Sequence, residues 1–419
     1  FSGLSTQVQG SPTQPMPDGG LTLTTTRLQV LDGAQITSST LSDASAGNIS
    51  INADSVRIEG DDASGSRAGI FATSFGSGPA GNILLSTNEL VMADRGWLRA
   101  DGYGTGSSGS IRIDASSIEM RDAALISNSG RFGSGLAHAG EIDINTETLF
   151  IKGLEGTQYP FTWDGTGIIS TVADGAGSSV IISATESITM ADRASMGSSS
   201  FGAGNAGLFR VVTPRLELLN GSQIVNSAFG IGRGGDIEIN AGLLSVSGVN
   251  GDPFGDILDR ASLAPSAIAS QSGVGGGNAG SIRISADRLE VLDGGLISTD
   301  TFGTGQGGAI EMGVGTGGRS EVVVSGVNAV HRQFLVDQGV DPIAARSTIG
   351  TSSLSDVLGL GATGDAGEIS IAVDAVSLSD GGILRSVTTG PGAGGQIQVL
   401  ADEVRLHAGG RIDTASLLP

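Results

Sequence analysis

The sequence predicts an all-β protein, a right-handed parallel β-helix (or β-solenoid) of about twelve coils with three short strands each. Three observations predict it. A unit of 28 residues recurs along the chain, apolar residues inside each unit are spaced two apart, and an Asp-Gly type of corner stands at one fixed place in it.

The repeat is plainest where a unit opens on glycine, at Gly81, Gly109, Gly207, Gly235, Gly280, Gly308, Gly367 and Gly395. The intervals 19–47, 81–109, 179–207, 207–235, 280–308 and 367–395 are 28 residues each, with Ser179 in place of the opening glycine. Units of this length cannot bury an apolar face alone, so they stack. Twelve coils at the inter-strand spacing of about 4.8 Å make a rod roughly 60 Å long.

Each unit reads in the same order. A first strand follows the glycine, with pairs such as Ile111 and Ile113, Ile237 and Ile239, or Ile369 and Ile371 flanking one polar residue. That spacing buries one face of an extended chain. A second strand follows, as in Leu28-Gln29-Val30 and Leu216-Glu217-Leu218. Next comes the corner: Asp32-Gly33-Ala34, Asp94-Arg95-Gly96, Asp122-Ala123-Ala124, Asp192-Arg193-Ala194, Asn220-Gly221-Ser222, Asp293-Gly294-Gly295 or Asp380-Gly381-Gly382. Asp and Asn bond to backbone two residues on, and Gly takes positive φ without strain. Repeated Asp also suits calcium, but a calcium site needs several oxygens converging on one point. The turn reading is therefore preferred, and no metal is expected. A third strand starts at Ile36, Ile126, Ile224 or Ile297, and it closes on an aromatic-Gly pair such as Phe75-Gly76, Tyr103-Gly104, Phe201-Gly202 or Phe229-Gly230. Rings one coil apart are expected to stack along the rod, inside it or lining a groove.

Composition fits this picture. Only 4% of the residues are aromatic, so stacked Ile, Leu, Val and Ala are expected to fill the interior. The 70 glycines are assigned to corners, since no Gly-X-Y period is present. The chain has no cysteine, which removes disulfides, thiolate nucleophiles and Cys-based metal sites. A net charge of −21, with 43 acidic against 22 basic residues, disfavours nucleic acid and anionic membrane surfaces. No apolar run is long enough for a membrane span. The repeat overrides length as a guide to domain number and points to one continuous solenoid over 1–419, with partial coils at 1–18 and 411–419. Both ends fall in the third strand and neither shows a cap. The expectation is a window of a longer shaft, with end-to-end stacking of copies as the alternative.

Four units break the period at the corner, with insertions at about 60–69, 153–167, 248–266 and 326–347. The third strand resumes at Ile70, Ile168, Ile268 and Ile349. The last insertion, with Val330, Phe334, Leu335 and Val336, suits a short helix. Loops at a common corner project from one edge of the rod, where solenoids place binding surface. The candidate partner contacts are their aromatic residues: Tyr159, Phe161 and Trp163 in one insertion, Phe254 in another and Phe334 in the last.

The Gly-Asn-Ile opening at Gly47 and Gly81, the Leu28 to Ala34 stretch and the Phe-Gly-x-Gly close resemble the repeats of filamentous haemagglutinin-like exoproteins of two-partner secretion. The resemblance covers essentially the whole chain. It implies passage through an outer-membrane transporter, folding outside the cell and work as an extracellular adhesin, fibre or matrix component on a bacterial surface. Partners would be sister rods or a cell-surface or glycan ligand. The Asn-Pro-Asn-Leu and Asn-Pro-x-Gly-Ile motifs of the secretion domain of such proteins are missing, so the segment would be the shaft.

The rival class is a polysaccharide-cleaving or polysaccharide-binding β-helix. Its chemistry needs carboxylates clustered with a basic partner on adjacent coils. Asp143, Asp236, Asp61 and Asp62 are candidates, yet neighbouring outward positions hold Ser50, Leu84, Arg112 and Arg283, the scatter of a solvated face. His138, His331 and His407 lie on far-separated coils. No catalytic residue and no cofactor is assigned.

Overall fold

The computed structural model describes residues 3–9, 19–130, 139–153, 165–250, 264–273, 275–315, 317–337, 342–353 and 363–416. These form a parallel β-solenoid of about 12 turns, with the right-handed winding that the twist of strands favours. One sheet stacks the third strands of successive coils, from Gly3–Val8 through Leu296–Thr301 to Arg411–Ser416. The other stacks the first and second strands, beginning at Leu21–Leu31.

In most coils the expected first and second strands are one continuous run of 11 residues, such as Ile49–Glu59 or Ile237–Ser247. Ile49, Ile51 and Ala53 point inward, Asp54 and Ser55 both turn out, and Val56 and Ile58 point inward again. Two consecutive outward residues reset the alternation without ending the strand. Only the last three coils keep two strands apart, as in Ile310–Val314 and Glu321–Ser325.

Register is held residue for residue in most coils, with one-residue shifts where Val180–Ala191 pairs with its neighbours. Ile237 pairs with Phe209 on one side and Ile282 on the other, and Ile282 with Ile310. A second apolar column runs through Leu216, Leu244 and Leu289, and the third-strand sheet adds Ile224, Ile268, Ile297 and Ile349. These side chains are fully or almost fully buried and make one cluster along the rod.

The interior is not apolar throughout. The later inward positions of the third strand hold Ser, Thr or Asn, all buried: Asn226, Ser270, Thr299, Thr351 and Ser386. They serve the backbone of the glycine-rich return. Thr299 Oγ1 donates to Gly308 O at 2.8 Å, Ser270 Oγ donates to Gly235 O at 2.8 Å, and Asn226 Nδ2 donates to Gly207 O at 2.7 Å. A return segment with no side chains of its own leaves inward carbonyls that need a donor, and this polar lane supplies it.

The opening glycines explain themselves here. They are not at positive φ. A Cβ on Gly81, Gly235 or Gly308 would lie 2.0, 2.2 or 1.8 Å from the carbonyl oxygen of the matching glycine one coil earlier. They are glycine because the backbones of successive coils touch at that point. The Asp corners behave as expected. Asp32 and Gly33 have φ of 50° and 76°, and Ala34 N–H donates to Leu31 O at 2.9 Å, the geometry of a type I′ turn. Arg95, Ala123 and Arg193 occupy the glycine position of that turn at φ of 64°, 63° and 66°.

Candidate functional site

Three of the four insertions are built on a shared neck. Where an ordinary corner would turn, Gly60, Gly248 and Gly326 take positive φ and the chain leaves the rod. On return, the N–H of Ala68, Ser266 and Ser347 donates to the carbonyl of those same glycines at 2.9, 2.9 and 3.0 Å. In the three longer insertions a hydroxyl ties the returning chain to the coil below. Ser347 Oγ donates to Ser325 O (2.6 Å) and accepts from Gly294 N–H (3.0 Å). Ser266 Oγ does the same with Ser247 O (2.6 Å) and Gly221 N–H (2.9 Å). Thr166 Oγ1 accepts from Ala123 N–H at 2.9 Å. The tight turn below keeps its partners whatever the length of the loop, so loop length can vary at little cost to the shaft.

The last insertion carries the expected helix, Ala329–Asp337. Asn328 caps it, its Oδ1 accepting from His331 N–H at 2.9 Å. A short 3-10 turn, Pro342–Ala345, brings the chain back to the third strand at Thr348–Ser353. Phe334, the one candidate contact among the described residues, is half-buried on this helix beside half-buried Leu335, while Val330 and Val336 are about half exposed. Tyr159, Phe161, Trp163 and Phe254 lie outside the described residues.

Helix and 3-10 turn lean over the outward face of the third-strand sheet and enclose a cavity of about 350 Å³. Its floor comes from Leu296, Ser298 and Asp300 of one coil, Thr348, Gly350 and Ser352 of the next, and Arg385 beyond them. His331, Ile343 and Arg346 from the insertion form the roof. Asp300 is enclosed by protein, and the surface it keeps borders the cavity. Burial pushes its carboxyl above the ordinary range, against hydrogen bonding from Ser352 and the positive charge of Arg385. Ser298 Oγ lies close enough to Asp300 to favour its charged form, but it makes no hydrogen bond of ordinary geometry. His331 is buried, and burial lowers its pKa, so the ring is neutral. Its Nδ1 is buried without a hydrogen-bond partner among the described residues.

Comparison with family models, curated proteins and solved structures finds no match to this chain.

Other sites named from the sequence are spread along the rod. Asp143 pairs with Arg112 at 3.1 Å, and Asp61 with Arg95 at 3.3 Å. Asp62 Oδ1 accepts from the backbone of Ser64 and Ser66 at 2.8 and 2.9 Å, and with the Ser64 hydroxyl these bonds hold its pKa below the usual range. Burial would raise Asp236, but the hydrogen bond and charge of Arg233 and the N–H of Ser281 outweigh it and hold the carboxylate low. His407 is exposed on the last coil, and His138 lies outside the described residues. Among the described residues no group of three His, Asp or Glu could hold a metal ion. On the long-strand face, Arg210 pairs with Glu238 at 2.5 Å and Arg283 with Glu311 at 3.1 Å, charges of opposite sign on adjacent coils. They border an open groove together with Glu368, two guanidinium groups against three carboxylates.

The aromatic pairs stack as expected, Phe75 on Tyr103 with centroids 5.2 Å apart and Phe201 on Phe229 at 5.0 Å. They are not internal. Phe75 is 53% exposed, and Phe201 and Phe229 about 40%, because the ring precedes the return glycine and projects outward from the edge. Sequence reasoning missed Trp97. It lies under two guanidinium groups, Arg67 at 3.7 Å and Arg99 at 4.5 Å from the ring centroid, with buried Arg99 paired to buried Asp101. It also missed Asp300. The one signal was an acidic residue at an outward third-strand position that usually holds a small or polar residue, beside an inserted corner.

Proposed function

We propose that this chain is the shaft of an extracellular rod, structural or adhesive, of the kind that filamentous haemagglutinin-like exoproteins form. The observation that carries the reading is the division of labour along the chain. Inter-coil pairing runs from Leu21 to Leu406 with its register shifted only on either side of Val180–Ala191, while most of the length variation gathers at one corner. A shaft needs the first property and a contact surface the second. Export through an outer-membrane transporter, a bacterial-surface location and partners among glycans, cell surfaces or sister rods belong to this proposal. The resemblance of the repeat supports them.

The test is loop trimming. Replacing Gly326–Ser347 or 153–166 with an Asp-Gly-Gly corner, as at Asp293–Gly295, should keep the melting curve and weaken binding to cells, glycans or sister rods. Unchanged binding by both trimmed rods would refute the insertion corner as the contact surface. Release of reducing ends from acidic polysaccharides by the intact chain would replace the rod reading with the enzymatic alternative.

A further inference from the structure

We infer that the cavity between the last insertion and the third-strand sheet is a binding site for a single sugar-acid ring of the hexuronate type. The inference goes beyond the rod reading, and the site would bind whether or not the rod adheres to anything.

Size comes first. About 350 Å³ is near the lower end of the roughly 300–1,000 Å³ of small-molecule pockets, enough for one sugar ring and too little for an oligosaccharide. Charge comes second. Two guanidinium groups, Arg346 and Arg385, and one carboxyl, Asp300, border the space. Both guanidinium groups can donate to an anion, in a chain of net charge −21. Arg346 Nη1 donates to Gly381 O at 3.3 Å, which fixes the group without neutralising it. A guanidinium group takes a planar carboxylate through two parallel N–H bonds, and this geometry is what selects a sugar acid here.

Hydroxyl recognition comes third. His331 is 8% exposed, borders the cavity and has a neutral ring with an unpartnered Nδ1. A buried polar atom without a partner costs stability unless a ligand or water completes it, and a hydroxyl can do so. Ser298 and Ser352 add hydroxyls on the floor, and Asp300 accepts from Ser352. Burial works against the charge on Asp300, which suits it to a ligand hydroxyl better than to an ammonium group. Leu296, Ile343 and Pro265 supply apolar wall for the C–H face of a ring.

The experiment is isothermal titration of the 419-residue chain with glucuronate and galacturonate, using glucose and an α-amino acid as comparators. One site is expected for a uronate, with glucose weaker by about tenfold or more for want of the carboxylate. His331→Phe and Arg346→Gln should each weaken uronate binding about tenfold, and Gln333→Ala on the exposed side of the helix should leave it unchanged. Three results would overturn the inference: no uronate binding by the parent chain up to about 10 mM, glucose or the amino acid binding as well as uronate, or full affinity in both pocket variants. Should a variant melt early, the comparison of uronate with glucose on the parent chain still decides.

Discussion

The glycine that opens each unit offers the sharpest test of how the coils are held. A Cβ added to Gly308 would lie 1.8 Å from Gly280 O and 2.8 Å from Gly280 C, both backbone atoms with nowhere to go. Reaching even 3.0 Å requires the coils to part by more than 1 Å at that point. The neighbouring bonds cannot follow. Ile282 N–H to Ala309 O and Thr299 Oγ1 to Gly308 O are both 2.8 Å, and a further 1.2 Å stretches them past 3.5 Å. Two bonds lost in a buried setting, each costing about 1–3 kcal/mol when a group is left unsatisfied, give Gly308→Ala a cost of roughly 2–6 kcal/mol. Gly313, five residues on, is the control. It lies in a strand, and an added Cβ meets nothing within 4 Å. Gly313→Ala should therefore be neutral or stabilising by about 0.4–1 kcal/mol. Denaturant midpoints for both variants, with hydrogen exchange across 280–310, read the difference. Equal midpoints, or damage from Gly313→Ala alone, would refute the close-approach account of the repeat.

Three further outcomes follow from the same geometry. Ile239→Asp places an unpaired carboxylate among Val211, Ile284 and their neighbours and should lower stability by several kcal/mol, whereas Glu238→Ala loses only an exposed pair with Arg210; matching melting curves would reverse the assigned faces. Ala123→Gly relieves a non-glycine residue at φ of 63° and should stabilise by about 0.5–1 kcal/mol, measured by thermal melting. Asp300 has its folded pKa raised by burial, so its contribution is full below the ordinary value of about 3.9 and is lost as pH rises through the raised one. Asp300→Asn should then melt higher than the parent at pH 7 and level with it near pH 3, and a variant that is weaker at pH 7 would contradict this.

The shaft was legible because repetition amplifies weak signals. One Ile-x-Ile is ambiguous, but the same pair returning at 28-residue intervals, with a corner led by Asp or Asn after the second strand of the regular units, fixes both the face and the corner. What repetition did not convey was why the glycines and serines recur. Opening glycines and corner glycines look alike in sequence, yet Gly308 is required by a backbone contact and Gly294 by a φ of 86°. The Ser, Thr and Asn of the third strand give no sign of their role in the sequence, because their partners are carbonyls of a return segment that carries no pattern of its own. The continuous long strand was hidden for a related reason. Two outward residues in succession, such as Asp54 and Ser55, look like a break although the backbone stays extended.

The cavity was illegible for the opposite reason: it occurs once. Nothing in Ser298, Asp300 or Gly350 marks them as lining a pocket, since among the described residues such outward third-strand positions on other coils have no helix above them. They become a site because 22 residues, Gly326–Ser347, are inserted at a neck that leaves the strand on either side undisturbed. Ser347 makes this possible by holding the tight turn of the coil below through Gly294 while its own loop departs. The shaft is therefore indifferent to what the corner carries. A rod whose coils are fixed by backbone contact can take on a binding site at any neck without retuning its core, and this is why the chemistry lies at the positions where the repeat fails.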